Sequence, residues 1–146
     1  MTSIHRTSVV AAPRDAAFAY VNEHGNVPKF FFGISKFEPV TEKTEGLGSR
    51  FAVEMTIGPK AIKATVETTK WVANELIEIT AIDGFRADTT WTFSDVDGGT
   101  EIDVTFDYHL PGGLAGRALG LVIEPVVGQA VRHTESSLTE QIVASL

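Results

Sequence analysis

Between Phe37 and Leu110, apolar and polar residues alternate along the chain in runs split by turn-forming clusters. A two-residue repeat sends successive side chains to opposite faces of an extended strand. Phe51, Val53, Met55 and Ile57 share one face, while Arg50, Glu54 and Thr56 take the other. Ile62, Ala64 and Val66 oppose Lys63, Thr65 and Glu67 in the next run. Phe85, Ala87, Thr89, Trp91 and Phe93 oppose Arg86, Asp88 and Thr90, and Ile102, Val104, Phe106, Tyr108 and Leu110 oppose Glu101, Asp103, Thr105 and Asp107. Breaks are expected at Glu45 to Gly48, Gly58-Pro59, Ala73 to Glu75, Asp83-Gly84 and Asp97 to Gly99. The pattern predicts an antiparallel sheet with one apolar and one polar face.

The flanks read differently. Ile4 to Val10 predicts a first strand, and Ala12-Pro13 followed by R-D-A-A-F-A-Y-V predicts a short helix with proline in its first turn. Phe18 and Val21 fall on the inner face of that helix, and a second helical turn is expected around Val27 to Phe31. After Pro111 the turn signals stop, and the chain from Leu114 onward reads as one long helix kinked at Pro125. Val127, Val131, Leu138 and Ile142 form an inward stripe at helical spacing. That helix is expected to cover the apolar face of the sheet, because no other element is available to bury it. The expected architecture is a single α+β domain over residues 1–146: strand, two short helices, six strands, long C-terminal helix.

Composition narrows the function. The chain has 146 residues, enough to bury a core without staples, and no cysteine, which excludes disulfides, thiolate metal sites and a cysteine nucleophile. Twelve basic against 19 acidic residues give a net charge of -7 with no Lys/Arg cluster, so nucleic acid and anionic membranes are poor partners. The opening M-T-S-I-H-R-T-S-V-V lacks the apolar core of a signal peptide, and with the absent cysteines this fits a cytoplasmic protein. Gly112 to Val131 is the one segment apolar enough to raise a membrane question, but Arg117, Glu124 and Pro125 interrupt it. It reads as a buried helix and not a span.

Four stretches carry a resemblance. They are V-V-A-A-P-R-D-A-A-F-A-Y-V at 9–21, the aromatic stretch from Val27 to Ile34, W-T-F-S-D-V-D-G-G-T-E-I-D-V-T-F at 91–106, and Pro111-Gly112-Gly113 leading into the long helix. In this order they resemble the polyketide cyclase/START-like (SRPBCC) superfamily, which includes the major birch pollen allergen. The resemblance implies a helix-grip fold: a curved, seven-stranded antiparallel sheet wrapped around the long C-terminal helix. It also implies an apolar cavity between sheet and helix. Phe30, Phe31 and Phe32 would then line or gate its mouth; the alternative is that these rings fill core between helix and sheet. Phe51, Val53, Met55, Phe85, Trp91, Phe93, Phe106 and Tyr108 would line the wall from the strands, with Val122 and Val126 from the helix.

The candidate chemistry inside such a cavity is sparse. By strand parity the inward polar groups are Thr68, Thr89 and the Tyr108 hydroxyl, with no strand carboxylate, lysine or histidine among them. Arg50 and Arg86 have outward parity unless a bulge inverts one. His5 lies on the first strand, His24 in the loop after the first helix, His109 on the outward face and His133 on the flank of the long helix. No H-x-x-x-H or H-E-x-x-H pair occurs, so neither a zinc site nor any other cofactor is expected. D-V-D-G-G at 95–99 reads as a hairpin turn, since the remaining calcium-loop ligands are missing. The leading expectation is binding or transport of a hydrophobic small molecule such as a lipid, quinone or polyketide-like compound, by a monomer or weak homodimer. A polyketide cyclase/aromatase is the enzymatic alternative, and an interaction module with a filled core is the third.

Overall fold

The computed structural model describes residues 2–31, 34–57, 60–109 and 136–144. Strand β1 (Thr2–Val10) is followed by helix α1 (Arg14–Asn22), a 3-10 turn (His24–Asn26) and helix α2 (Val27–Phe30). Six further strands follow: β2 (Ile34–Pro39), β3 (Arg50–Ile57), β4 (Lys60–Val72), β5 (Leu76–Gly84), β6 (Arg86–Val96) and β7 (Gly99–His109). Residues 136–144 form helix α3. The expected start of the long helix, its kink at Pro125 and the apolar segment from Gly112 to Val131 lie outside the described residues. Where α3 is described, Leu138 and Ile142 of the expected stripe are both buried.

All seven strands join one antiparallel sheet in the order β1-β7-β6-β5-β4-β3-β2. Consecutive strands from β2 to β7 are neighbours, and β1 crosses to pair with β7, Ile4 opposite Phe106 and Val10 opposite Thr100. Helices α1 and α2 carry the chain from one sheet edge to the other. Local chemistry sets their ends. Pro13 is extended (ψ 151°) and its carbonyl accepts from Ala17 N–H at 3.0 Å, so the ring precedes the helix where its missing N–H costs nothing. Pro28 occupies the first turn of α2 for the same reason.

Three register irregularities bend the sheet. Ser35 in β2, Thr69 in β4 and Ile82 in β5 each stand as an extra residue against one partner on the adjoining strand. A bulge adds local bend and twist, and it reverses side-chain parity beyond it. The Thr69 bulge therefore turns Trp71 inward, where strict alternation from Ile62 onward would have pointed it out. Trp71 packs edge-on against Phe18 of α1, ring centroids 5.6 Å apart. The β5–β6 ladder runs only from Leu76 to Ile79, opposite Thr92 to Thr89. Beyond it the Asp88 carboxylate accepts from Ala81 N–H at 3.1 Å, satisfying a donor that the ladder leaves unpaired. Gly84 closes β5 with φ +79°, and a Cβ there would lie 2.4 Å from the Lys63 carbonyl oxygen. Only glycine fits that approach.

The hairpin expected at D-V-D-G-G is present: Val96 pairs with Gly99 across an Asp97-Gly98 turn, with Gly98 at φ +83°. Arg50 lies on the outer face, where its Nε donates to Glu67 Oε1 at 2.8 Å across the β3–β4 ladder. Arg86 is exposed. Neither arginine is inverted by a bulge.

Candidate functional site

The inner faces of β3 to β7 and the helix α2 segment line a partly open cavity of about 90 Å³. Its wall is apolar through most of its extent. Phe51, Val53 and Met55 come from β3, Ile62, Ala64 and Val66 from β4, Ile77 and Ile79 from β5. Phe85 sits on the link before β6, with Ala87 and Trp91 on β6 itself and Phe106 on β7. Val27, Phe30 and Phe31 close the space from the helical side. Strand parity assigned the β3, β4, β6 and β7 members of this set, with Phe85, to the apolar face; Ile77 and Ile79 of β5 and the helical-side residues were not read from alternation.

The aromatic run divides its labour. Phe30 is 2% exposed, and its ring meets Trp91 nearly perpendicular (85°) at 6.0 Å and Tyr20 at 5.9 Å. Phe31 is half-buried and lies 6.1 Å from Phe106. Such edge and tilted contacts are the arrangements that ring quadrupoles favour. Both rings serve as core and as cavity wall at once, so the two alternatives for this stretch are not exclusive. Phe32, Val122 and Val126 lie outside the described residues.

Two residues expected on the wall sit elsewhere. Phe93 is buried on the inner face, but α1 covers that end of β6, and Phe18 meets it edge-on at 5.3 Å. Tyr108 is buried in a second apolar cluster with Ile4, Phe85 and Ala87, its ring 5.8 Å from Phe106. Parity gives the face of a strand residue, whereas its position along the strand decides whether a helix or open space lies above it.

The polar part of the wall is larger than strand parity indicated. Thr68 and Thr89 face the cavity as expected, and Asn22, His24, Glu45 and Ser49 join them from helix ends and loops. Asn22 ends α1; its Oδ1 accepts from Trp71 Nε1 at 2.9 Å and its Nδ2 donates to Glu45 Oε2 at 3.2 Å. The His24 ring lies 5.9 Å from that of Phe51, which in turn stacks on Phe37 at 4.7 Å. Ser49 Oγ donates to the Gly46 carbonyl at 2.7 Å and lies 3.0 Å from Thr68 Oγ1. Asn22 ends a helix, His24 lies in the 3-10 turn and Glu45 and Ser49 in the loop before β3, so strand alternation carries no signal for these four.

The cavity's helical side is tied down by Gln141 of α3. Its Nε2 donates to the Lys29 carbonyl at 2.8 Å, and its Oε1 accepts from the Tyr20 hydroxyl. Burial raises the Tyr20 pKa above the ordinary 10.0, because desolvation disfavours the phenolate. Of the other histidines, His5 faces outward, its Nε2 3.0 Å from Asp103 Oδ1, and the side chain of His109 and all of His133 lie outside the described residues. Among the described residues no cluster of three or more His, Asp or Glu side chains is arranged to hold a metal. None of the described helices is long and apolar enough to cross a membrane.

A curved antiparallel sheet of seven strands, two short helices after the first strand and an apolar cavity on the concave side define the helix-grip architecture. The chain belongs to the family described as polyketide cyclase / dehydrase and lipid transport, which it matches over residues 1–142. Its fold is similar to that of TTHA0849 from Thermus thermophilus, with a TM-score of 0.83, 18% identity and 99% of each chain covered. It is also similar to the Zhui aromatase/cyclase from a Streptomyces species, with a TM-score of 0.81 and 14% identity over 97% of this chain and 93% of that one. A START superfamily protein from Mycobacterium smegmatis aligns with a TM-score of 0.77 and 13% identity over 99% of both chains. No curated protein matches the chain in sequence.

Proposed function

We propose that the chain binds a hydrophobic small molecule in the cavity and carries or sequesters it without altering it. The observation that supports this reading is the wall itself: a concave set of aromatic and aliphatic side chains with no lysine or arginine among its described residues. Each Å² of apolar surface that a ligand removes from water contributes about 25 cal/mol, so such a wall binds without charged anchors. The volume of about 90 Å³ is below the roughly 300–1,000 Å³ of drug-sized pockets, which favours a compact ligand unless the walls part. Native mass spectrometry of freshly purified protein, followed by organic extraction, tests the reading. A stoichiometric small-molecule adduct, weakened by Trp91→Ala or Phe106→Ala, is the expected result. Absence of any adduct, together with failure of apolar dyes to bind, would sink it.

A second reading, ring-forming chemistry on a polyketide-like substrate, is favoured by His24. Acid/base catalysis needs a titratable group within reach of the substrate, and His24 is the histidine on the described wall. Conversion of a β-ketone probe by the wild type, abolished in His24→Gln with dye binding retained, would establish it. Binding without conversion would leave the carrier reading.

A further inference from the structure

Ser49 and Thr68 form a buried hydroxyl pair on the cavity wall, fully buried and 4% exposed respectively. Their hydrogens can be counted. Each hydroxyl carries one hydrogen and two acceptor lone pairs. The Ser49 hydrogen is committed to the Gly46 carbonyl at 2.7 Å. In the 3.0 Å contact between the two oxygens, the donor is therefore Thr68. Both hydrogens are then spent within the protein, while three lone pairs remain: two on Thr68 Oγ1 and one on Ser49 Oγ. The neighbouring Asn22 accepts from Trp71 Nε1 and spends one amide hydrogen on Glu45, whose carboxylate only accepts; the second amide hydrogen and a ring N–H of His24 are the donors on this part of the wall. Thr89 on β6 adds one more wall hydroxyl, which can turn to suit either partner.

From this we infer that Thr68 Oγ1, its hydrogen held by the fully buried Ser49, is an acceptor subsite, and that this part of the cavity favours apolar ligands carrying a hydrogen-bond donor, a phenol or alcohol hydroxyl or a ring N–H. Ethers and ketones offer the pair only lone pairs. Carboxylates such as free fatty acids are disfavoured more strongly at Thr68, since they meet acceptor oxygens and Glu45 with no lysine or arginine on the described wall, which leaves His24 to offset them. The inference rests on the carrier reading above and adds the polarity of the ligand's head.

The test compares naphthalene, naphthol, its methyl ether and naphthoate by calorimetry or probe fluorescence on the full chain. Naphthol should bind roughly three- to tenfold more tightly than the ether, the scale of one net hydrogen bond, and naphthoate should bind most weakly. Thr68→Val keeps the shape and removes the oxygen, so it should abolish the preference for naphthol over naphthalene and the ether. Thr68→Ser should restore the preference, and the ranking on the wild type stands even if the valine variant fails to fold. If naphthalene and its neutral derivatives all fail to bind, the carrier reading itself falls. If they bind but naphthol shows no advantage, if naphthoate binds best, or if folded Thr68→Val keeps the preference, the carrier reading survives and the acceptor subsite is overturned.

Discussion

Truncating Phe30 to alanine separates the two roles that its ring fills. The ring is 2% exposed and packed among Tyr20, Phe31 and Trp91. Removing a buried phenylalanine ring from a core costs about 3–5 kcal/mol in total. Of this, roughly 1.5–3 kcal/mol is lost transfer free energy. The remaining 1.5–2 kcal/mol or so, at about 24 cal/mol per Å³, corresponds to a new void of roughly 60–80 Å³. That void adjoins a cavity of about 90 Å³, so Phe30→Ala should come close to doubling it. Urea denaturation should show the full loss at an unchanged m-value, and the thermal midpoint should fall by roughly 6–20 °C. The variant should also accept larger apolar probes than the wild type. Phe93→Ala is the matched control: Phe93 is equally buried but packs under Phe18 away from the cavity, so it should destabilise without changing probe size. A loss below about 1.5 kcal/mol for Phe30→Ala would show that the ring is not buried as described. Unchanged probe selectivity would show that it does not wall the cavity.

Two further outcomes follow from the geometry. Gly84→Ala should lower the urea midpoint by an amount equivalent to about 1–3 kcal/mol, since the added carbon meets the Lys63 carbonyl at 2.4 Å and φ is +79°; a neutral result would refute the close approach of β5 to β4. Tyr20 has a folded-state pKa raised above 10.0 by burial, so its stabilising contribution is full below pH 10.0 and fades as pH climbs through the folded-state value. Tyr20→Phe should therefore cost about 1 kcal/mol at neutral pH through the lost bond to Gln141, and a smaller difference from wild type in alkali would accompany phenolate formation. An unchanged difference across that range would remove Tyr20 as a source of alkaline lability.

Much of the sheet and its inner face was legible because alternation is a strong local constraint. A residue such as Phe51 or Trp91 has only two faces to choose from, and one of them must be buried. The same logic identified the outward arginines and the turn at Asp97-Gly98. It stopped where the chain departs from alternation. Trp71 is inward only because Thr69 is an extra residue in β4, and whether a threonine is bulged depends on the pairing of β4 with β5. The polar wall was less legible still. Ser49 is one loop serine among several, and it becomes a cavity residue only when β3 and β4 bring it to Thr68.

Sequence alone therefore determined the order of elements from β1 to β7 and the face on which the regular residues of β3, β4, β6 and β7 lie. Those properties follow from backbone periodicity and from proline and glycine conformational limits, which act over a few residues. Tertiary structure alone decided which inward residues meet open space and which meet a helix, so that Phe106 walls the cavity while Phe93 lies under α1. It also decided which loop groups gather at the polar end, where Ser49 Oγ lies between the Gly46 carbonyl and Thr68 Oγ1. Those properties depend on groups far apart in the chain, and local patterning carries no record of the distance between them.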